Sequence, residues 1–140
     1  MKTTCKYCGI VDKPHICPYK KRKTNYNRTD KKIYSSRIWK DLRQQILNDF
    51  NNICLWSLYV DGEVIGANTV HHIVELLENE SVAYEYDNLI PLEYYNHEYI
   101  HELYKKDKKK VQKLLKLMLK SYKRGDRTLG KFKKYIPPLL

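Results

Sequence analysis

Val70-His71-His72-Ile73-Val74, continued by Asp87-Asn88-Leu89-Ile90 and then by His97-Glu98-Tyr99-Ile100-His101, is the stretch whose reading decides the fold of this chain. Asn88 follows His72 by sixteen residues, His97 follows Asn88 by nine, and His101 stands four further on, so that four of the five histidines fall in one window. Residues 69–74 carry the β-branched pattern of a strand. Asn88 opens the short apolar run Leu89-Ile90-Pro91-Leu92, and residues 94–105 read as a helix with His97 and His101 on one side, because residues four apart lie above one another. The spacing predicts a strand, a loop and a helix folded around one small metal site.

Neutral imidazole ligates transition metals, and with an unperturbed pKa near ~6.5 it can also take a proton from water near physiological pH. Hydrolysing a phosphodiester needs both services: a nucleophile generated near neutral pH and a cation at the scissile phosphate. Adjacent residues on a strand point to opposite sides, so His71 and His72 are not expected to share one role. One can face the metal while the other faces the attacking water.

The remaining composition fits such a substrate. A chain of 140 residues supports one modest domain with appendages, and its 27 Lys+Arg against 16 Asp+Glu give a formal charge of +11. A field of one sign over so small a body favours a polyanionic partner, and a phosphate backbone gains affinity from each neutralised charge by counterion release. The first twenty residues lack the apolar run of a signal peptide, and no stretch has the length of a membrane span, so a cytoplasmic protein with no membrane partner is expected. In that reducing setting four cysteines point to metal or free thiols before disulfides.

Three of those cysteines lie in residues 1–18, which read as a small knuckle. Cys5 and Cys8 are separated by two residues, and His15 and Cys17 follow a turn through Asp12-Lys13-Pro14, a set able to hold a structural zinc. The one-residue gap between His15 and Cys17 is tighter than usual, which leaves open that His15 points away. A basic linker, residues 19–33, contains Lys20-Lys21-Arg22-Lys23 and little to bury. From Ser36, a helix cap, Trp39, Leu42, Ile46, Leu47 and Phe50 recur on one face, with Arg37, Lys40, Arg43 and Gln44 mainly off it. Arg37, Lys40 and Arg43 are candidate DNA contacts.

Two short strands are expected at residues 53–60 and 63–65, joined as a hairpin by Asp61-Gly62. An acidic loop spans residues 75–87. The tail, residues 105–140, reads as a basic amphipathic helix ending near Gly125, with Val111, Leu114, Leu115, Met118, Leu119 and Tyr122 on its apolar face. It could dock on the core, pair with a second copy or lie on a membrane surface, with packing as the default.

The order His71-His72, Asn88, His97 and His101, with the helix at residues 36–47 before it and the knuckle and basic linker upstream, resembles the HNH endonucleases, particularly the small bacteriophage versions. The resemblance covers roughly residues 1–104. It implies an α+β fold: a ββα-metal finger core at residues 34–104 with flanking helices, an N-terminal zinc knuckle and a basic C-terminal helix. By the same resemblance His72 would be the general base, Asn88 would hold the loop and orient that base, and His71 and His97 would be metal ligands. His101 would be a third ligand or a phosphate contact. The family implies one divalent cation, magnesium, manganese, nickel or zinc, and products with 5′-phosphate and 3′-hydroxyl ends.

One departure stands out. Many phage relatives brace this core with a zinc on two Cys-x-x-Cys pairs, and the matching positions here are Cys54, Ser57, Glu93 and Asn96. Three thiols are missing, so the core is expected to be held by hydrogen bonds and by packing of Trp56, Leu58, Leu92 and Tyr95. The leading expectation is a metal-dependent endonuclease on double-stranded DNA, phage-encoded, working beside the packaging terminase or as a homing nuclease in the host cytoplasm. The alternatives are an inactive DNA-binding accessory protein on the same fold, and an RNA-directed protein that uses some of its 13 tyrosines to stack bases.

Overall fold

In the computed structural model, residues 1–19 and 29–136 are described; residues 20–28 of the basic linker, Lys20-Lys21-Arg22-Lys23 among them, and the last four of the tail lie outside them. The chain opens with an antiparallel hairpin, β1 (Lys2–Cys5) and β2 (Gly9–Asp12), whose register pairs Cys5 with Gly9. Gly9 adopts φ 81°, the left-handed conformation that closes the turn without a Cβ clash. Two helices follow, α1 (Thr29–Ser35) and α2 (Arg37–Asp49).

Ser36 separates these helices. Its Oγ accepts from Trp39 N–H at 3.2 Å, capping α2, and donates to the Ile33 carbonyl at 2.7 Å, closing α1. Trp39, Ile46, Leu47 and Phe50 are buried and Leu42 is half-buried, so the predicted stripe is the core face of α2. Asn51 and Asn52, both at φ 55°, end the helix, with Asn52 N–H bonding the Leu47 carbonyl at 2.7 Å. Asparagine is one of the few residues that tolerates this conformation in place of glycine.

The hairpin expected over residues 53–65 does not form. Leu55 and Trp56 are helical, and Ser57–Asp61 is a wide π-turn ended by Gly62 at φ 72°, whose N–H returns to the Ser57 carbonyl. Asp61-Gly62 therefore stops a helical turn. Only the Ile53–Gly66 bridge and a Cys54 N–H bond to the Ile65 carbonyl retain extended pairing. The reason is burial on every side: Leu55, Trp56, Leu58, Tyr59 and Val60 are all in the core, and a short run apolar all round does not distinguish strand from helix by period.

Strands β3 (Thr69–His72) and β4 (Leu89–Leu92) pair antiparallel, with His71 opposite Ile90 and His72 opposite Leu89. Helix α3 (Tyr94–Lys123) follows directly, capped by Glu93, whose carboxylate accepts from Tyr95 and Asn96 N–H. It bends at Asp107 (φ −155°, ψ 81°), whose carboxylate accepts from Lys110 N–H at 3.2 Å and so caps the second half. Val111, Leu114, Leu115, Met118, Leu119 and Tyr122 of that half belong to the same core as α2 and β4, so the basic tail docks on the body of the protein. Beyond Lys123 the chain turns back: Gly130 and Phe132 N–H groups bond the Leu58 and Tyr59 carbonyls, and Phe132 is buried. No helix among the described residues is long and apolar enough to cross a membrane.

Cys54, Ser57, Glu93 and Asn96 are held together by hydrogen bonds. Asn96 Nδ2 donates to Ser57 Oγ at 2.6 Å and reaches Cys54 Sγ at 3.4 Å, pinning the first turn of α3 to the π-turn. Trp56, Leu58 and Leu92 are buried in the same core as Cys54. Tyr95 does not: it is 77% exposed, because the α3 face at that position points to solvent.

Candidate metal centre

Strand β3 carries two buried histidines on its opposite sides. His71 faces the first half of α3, where His97 and His101 stand one turn apart. The ring centroids are 5.1 Å (His71 to His97), 5.3 Å (His71 to His101) and 4.5 Å (His97 to His101) apart, and one nitrogen from each ring lies within 4.8 Å of the others. His97 Nε2 and His101 Nε2 approach to 3.0 Å. Two nitrogens bound to one ion at ~2.0–2.1 Å in tetrahedral geometry would lie roughly 3.4 Å apart, so this donor set fits a single divalent ion.

The electrostatics favour the same use. Burial, and then the neighbouring His97 and His101, hold His71 well below the ordinary imidazole range. Burial, followed by His101, also lowers His97. Neutral rings keep lone pairs for a cation. Behind them, His97 Nδ1 lies 3.8 Å from Glu98 and His101 Nδ1 3.9 Å from Glu75, while His71 Nε2 meets the Tyr104 hydroxyl at 3.0 Å.

His72 faces the other way. Its Nε2 lies 2.9 Å from the Ala83 carbonyl, which can only accept, so the ring carries its hydrogen on Nε2. Nδ1 is then the nitrogen with the lone pair, and it is buried without a hydrogen-bond partner. Trp39 stacks on the ring at 4.6 Å and 23°, and Tyr34 meets it edge-on at 5.8 Å. Burial lowers the His72 pKa, partly offset by the Ala83 carbonyl.

The Asn88 side chain hydrogen-bonds to neither ring. Its Oδ1 accepts from Val74 N–H at 2.8 Å, and its Nδ2 donates to the Val74 carbonyl at 3.0 Å and the Val82 carbonyl at 3.4 Å. It therefore clamps the loop that delivers Ala83 to His72. The four histidines open on a cavity of about 360 Å³, also lined by Trp39, Arg43 and Glu75. Arg43 donates to the Asn68 carbonyl at 2.7 Å at its edge. Arg37 and Lys40 do not line it: both are exposed, and Arg37 lies 3.8 Å from Asp41.

Glu75 and Tyr104 were not among the sequence candidates. Glu75, also 3.2 Å from Lys108, was one acid within an acidic loop, and Tyr104 one tyrosine of a helix, so nothing but the folded contacts singles them out.

At the other end of the chain Cys5, Cys8, His15 and Cys17 converge, with donor atoms within 4.8 Å of one another. His15 thus points in, and its Nε2 is buried without a partner. Cys8 and Cys17 sulfurs are 3.8 Å apart, the spacing of two thiolates at ~2.3 Å from one tetrahedral zinc. Backbone N–H groups of Tyr7 and Cys8 pull the Cys5 thiol down to about 6, whereas burial pushes Cys8 up to about 11. An ion would equalise them, since a bound thiol is deprotonated outright.

No protein-family model and no curated protein matches the chain. Among solved structures it is similar to the HNH endonuclease of the deep-sea thermophilic bacteriophage GVE2, crystallised with a manganese ion. The two share 28% identity with a TM-score of 0.52, over 55% of this chain and 83% of that one. The resemblance read from the histidine spacing thus extends to the folded backbone.

Proposed function

We propose that this chain is a metal-dependent HNH-type DNA endonuclease with a ββα-metal core formed by β3, β4 and the first half of α3. The observation that carries the reading is the two-sided strand: three histidines converge on one side, and on the other a neutral histidine holds an unengaged Nδ1.

His71, His97 and His101 would hold the divalent ion, which when bound supplies positive charge to a scissile phosphate and its leaving oxygen. His72 acts as general base, Nδ1 taking a proton from water while Nε2–H stays anchored on Ala83. The lowered pKa keeps that nitrogen unprotonated at neutral pH. Asn88 serves as a positioning residue, since its bonds fix the loop and not the reacting atoms. Arg43, at the cavity edge, is placed to meet a phosphate, and the +11 charge supports duplex binding by counterion release, with Arg37 and Lys40 as outlying contacts. Cys5, Cys8, His15 and Cys17 would hold a structural zinc. The phage source of the structural neighbour supports a phage-encoded enzyme; the family resemblance read from the sequence would place it in the host cytoplasm, beside a packaging terminase or as a homing nuclease.

A second reading, a DNA-binding protein without activity, is favoured by one feature: His72 Nδ1 is closed to solvent beneath Trp39 and Tyr34. A supercoiled-plasmid assay separates the two. Wild type should cut with manganese, magnesium, nickel or zinc and not in EDTA, and His72→Ala should bind DNA but not cut. Tight, salt-sensitive binding with no cleavage by wild type in any metal would leave the second reading.

A further inference from the structure

We propose that Tyr104 is a positioning residue that sets the tautomer of His71, leaving the Nδ1 lone pair free for the divalent ion; the inference rests on the three-histidine reading above. The Tyr104 hydroxyl has one hydrogen, and the Ile73 carbonyl, 2.7 Å away, takes it, because a carbonyl can only accept. The contact between the hydroxyl oxygen and His71 Nε2 at 3.0 Å must then be filled by a hydrogen on the ring. A neutral imidazole with its hydrogen on Nε2 carries its lone pair on Nδ1. The chain of donors therefore runs from His71 through Tyr104 to the backbone of β3's own exit, and it is buried throughout.

The Ile73 carbonyl has a second donor. Gln112, beyond the bend at Asp107, also donates to the Ile73 carbonyl, at 3.0 Å. Removing the Tyr104 hydroxyl would leave that carbonyl partnered but strand Nε2–H of His71 in a buried site. An unpaired buried donor is costly, so the ring would move its hydrogen to Nδ1 and point it at the metal position. The phenyl ring of Tyr104→Phe would keep the edge contact with His71 at 5.4 Å between centroids. The variant thus separates the hydroxyl from the packing.

Two measurements test this on the full chain with zinc retained on its amino-terminal thiols. Long-range proton–nitrogen NMR of wild type with no divalent ion added to the histidine site, near neutral pH, should show His71 protonated on Nε2; hydrogen on Nδ1 would overturn the proposal, whether or not any variant folds. Calorimetric titration with Mn²⁺ should then show Tyr104→Phe binding about 10–100-fold more weakly than wild type, the usual effect of losing an outer partner of a metal ligand. Gln112→Leu, which touches the same carbonyl but not His71, should bind like wild type. Equal Mn²⁺ affinity of Tyr104→Phe and wild type would refute the role of the hydroxyl. Unchanged Mn²⁺ binding in His97→Ala would instead sink the three-histidine site and the proposal's metal consequence with it, a failure the tautomer spectrum tells apart.

Discussion

Replacing Asn88 with Ala should destabilise the protein before it disturbs any chemistry. The side chain is 5% exposed and makes two good hydrogen bonds to Val74, at 2.8 and 3.0 Å, and a longer one to Val82 at 3.4 Å. Each good bond contributes roughly 1 kcal/mol net, and each backbone group left buried and unpaired adds about 1–3 kcal/mol of desolvation cost. Val74 is only half-buried, so water can re-satisfy part of the loss, and the expected total is roughly 2–4 kcal/mol. For a domain of this size that corresponds to a fall in Tm of roughly 6–14 °C. Asn88→Asp retains the acceptor for Val74 N–H but sets a carboxylate against two carbonyls, so it should be no better than alanine. Scanning calorimetry and urea unfolding of the zinc-loaded variants read the effect directly. A Tm for Asn88→Ala indistinguishable from wild type, accompanied by complete loss of cleavage, would refute the positioning role and make Asn88 a group that touches the substrate.

Elsewhere the structure makes equally direct demands. Cys8→Ser should release the tightly held zinc that elemental analysis is expected to find in dialysed wild type, and retention of that zinc would contradict the four-residue cluster. Asn96→Leu removes the 2.6 Å bond to Ser57 and should lower stability by about 1–2 kcal/mol; an unchanged urea midpoint would show that packing alone holds the joint. Asp107→Ala deletes the cap of the second half of α3, with an expected loss of about 1 kcal/mol and of amide protection around Lys110. Asp126 is held well below the ordinary carboxylate range, first by Lys131 at 2.5 Å and then by Thr128. Because its folded pKa is depressed, the stabilisation is fully present above the unfolded value of ~3.9 and is lost as pH falls through the folded one. The Tm gap between wild type and Asp126→Asn should therefore be widest near neutral pH and shrink in strong acid, and a gap independent of pH would exclude the ion pair as its source.

Helix α2 was legible because one polar cap and five apolar residues at helical spacing admit a single reading. The histidine pair one turn apart on α3 was legible for the same reason, and so was the thiol cluster at the amino terminus, where short spacings leave the donors little room to separate. Residues 53–60 do not form the strand their sequence suggests, because residues 55–60 are buried on all sides and Asp-Gly serves a helix stop as well as a hairpin. Tyr95 was misplaced because neighbouring residues of a helix diverge by about 100°, and only the docked orientation of α3 shows which faces inward.

The order and chemical type of the donors were determined by the sequence alone: which residues can bind a metal, that adjacent histidines on a strand must part company, and that a charge of +11 favours a polyanionic partner. Which nitrogen of each histidine is free was decided only by tertiary structure. His72 takes its tautomer from the carbonyl of Ala83, eleven residues away, and His71 from the hydroxyl of Tyr104, thirty-three residues away. A ring nitrogen's state depends on what lies within hydrogen-bond reach, and that proximity exists only once β3, the loop and α3 have packed.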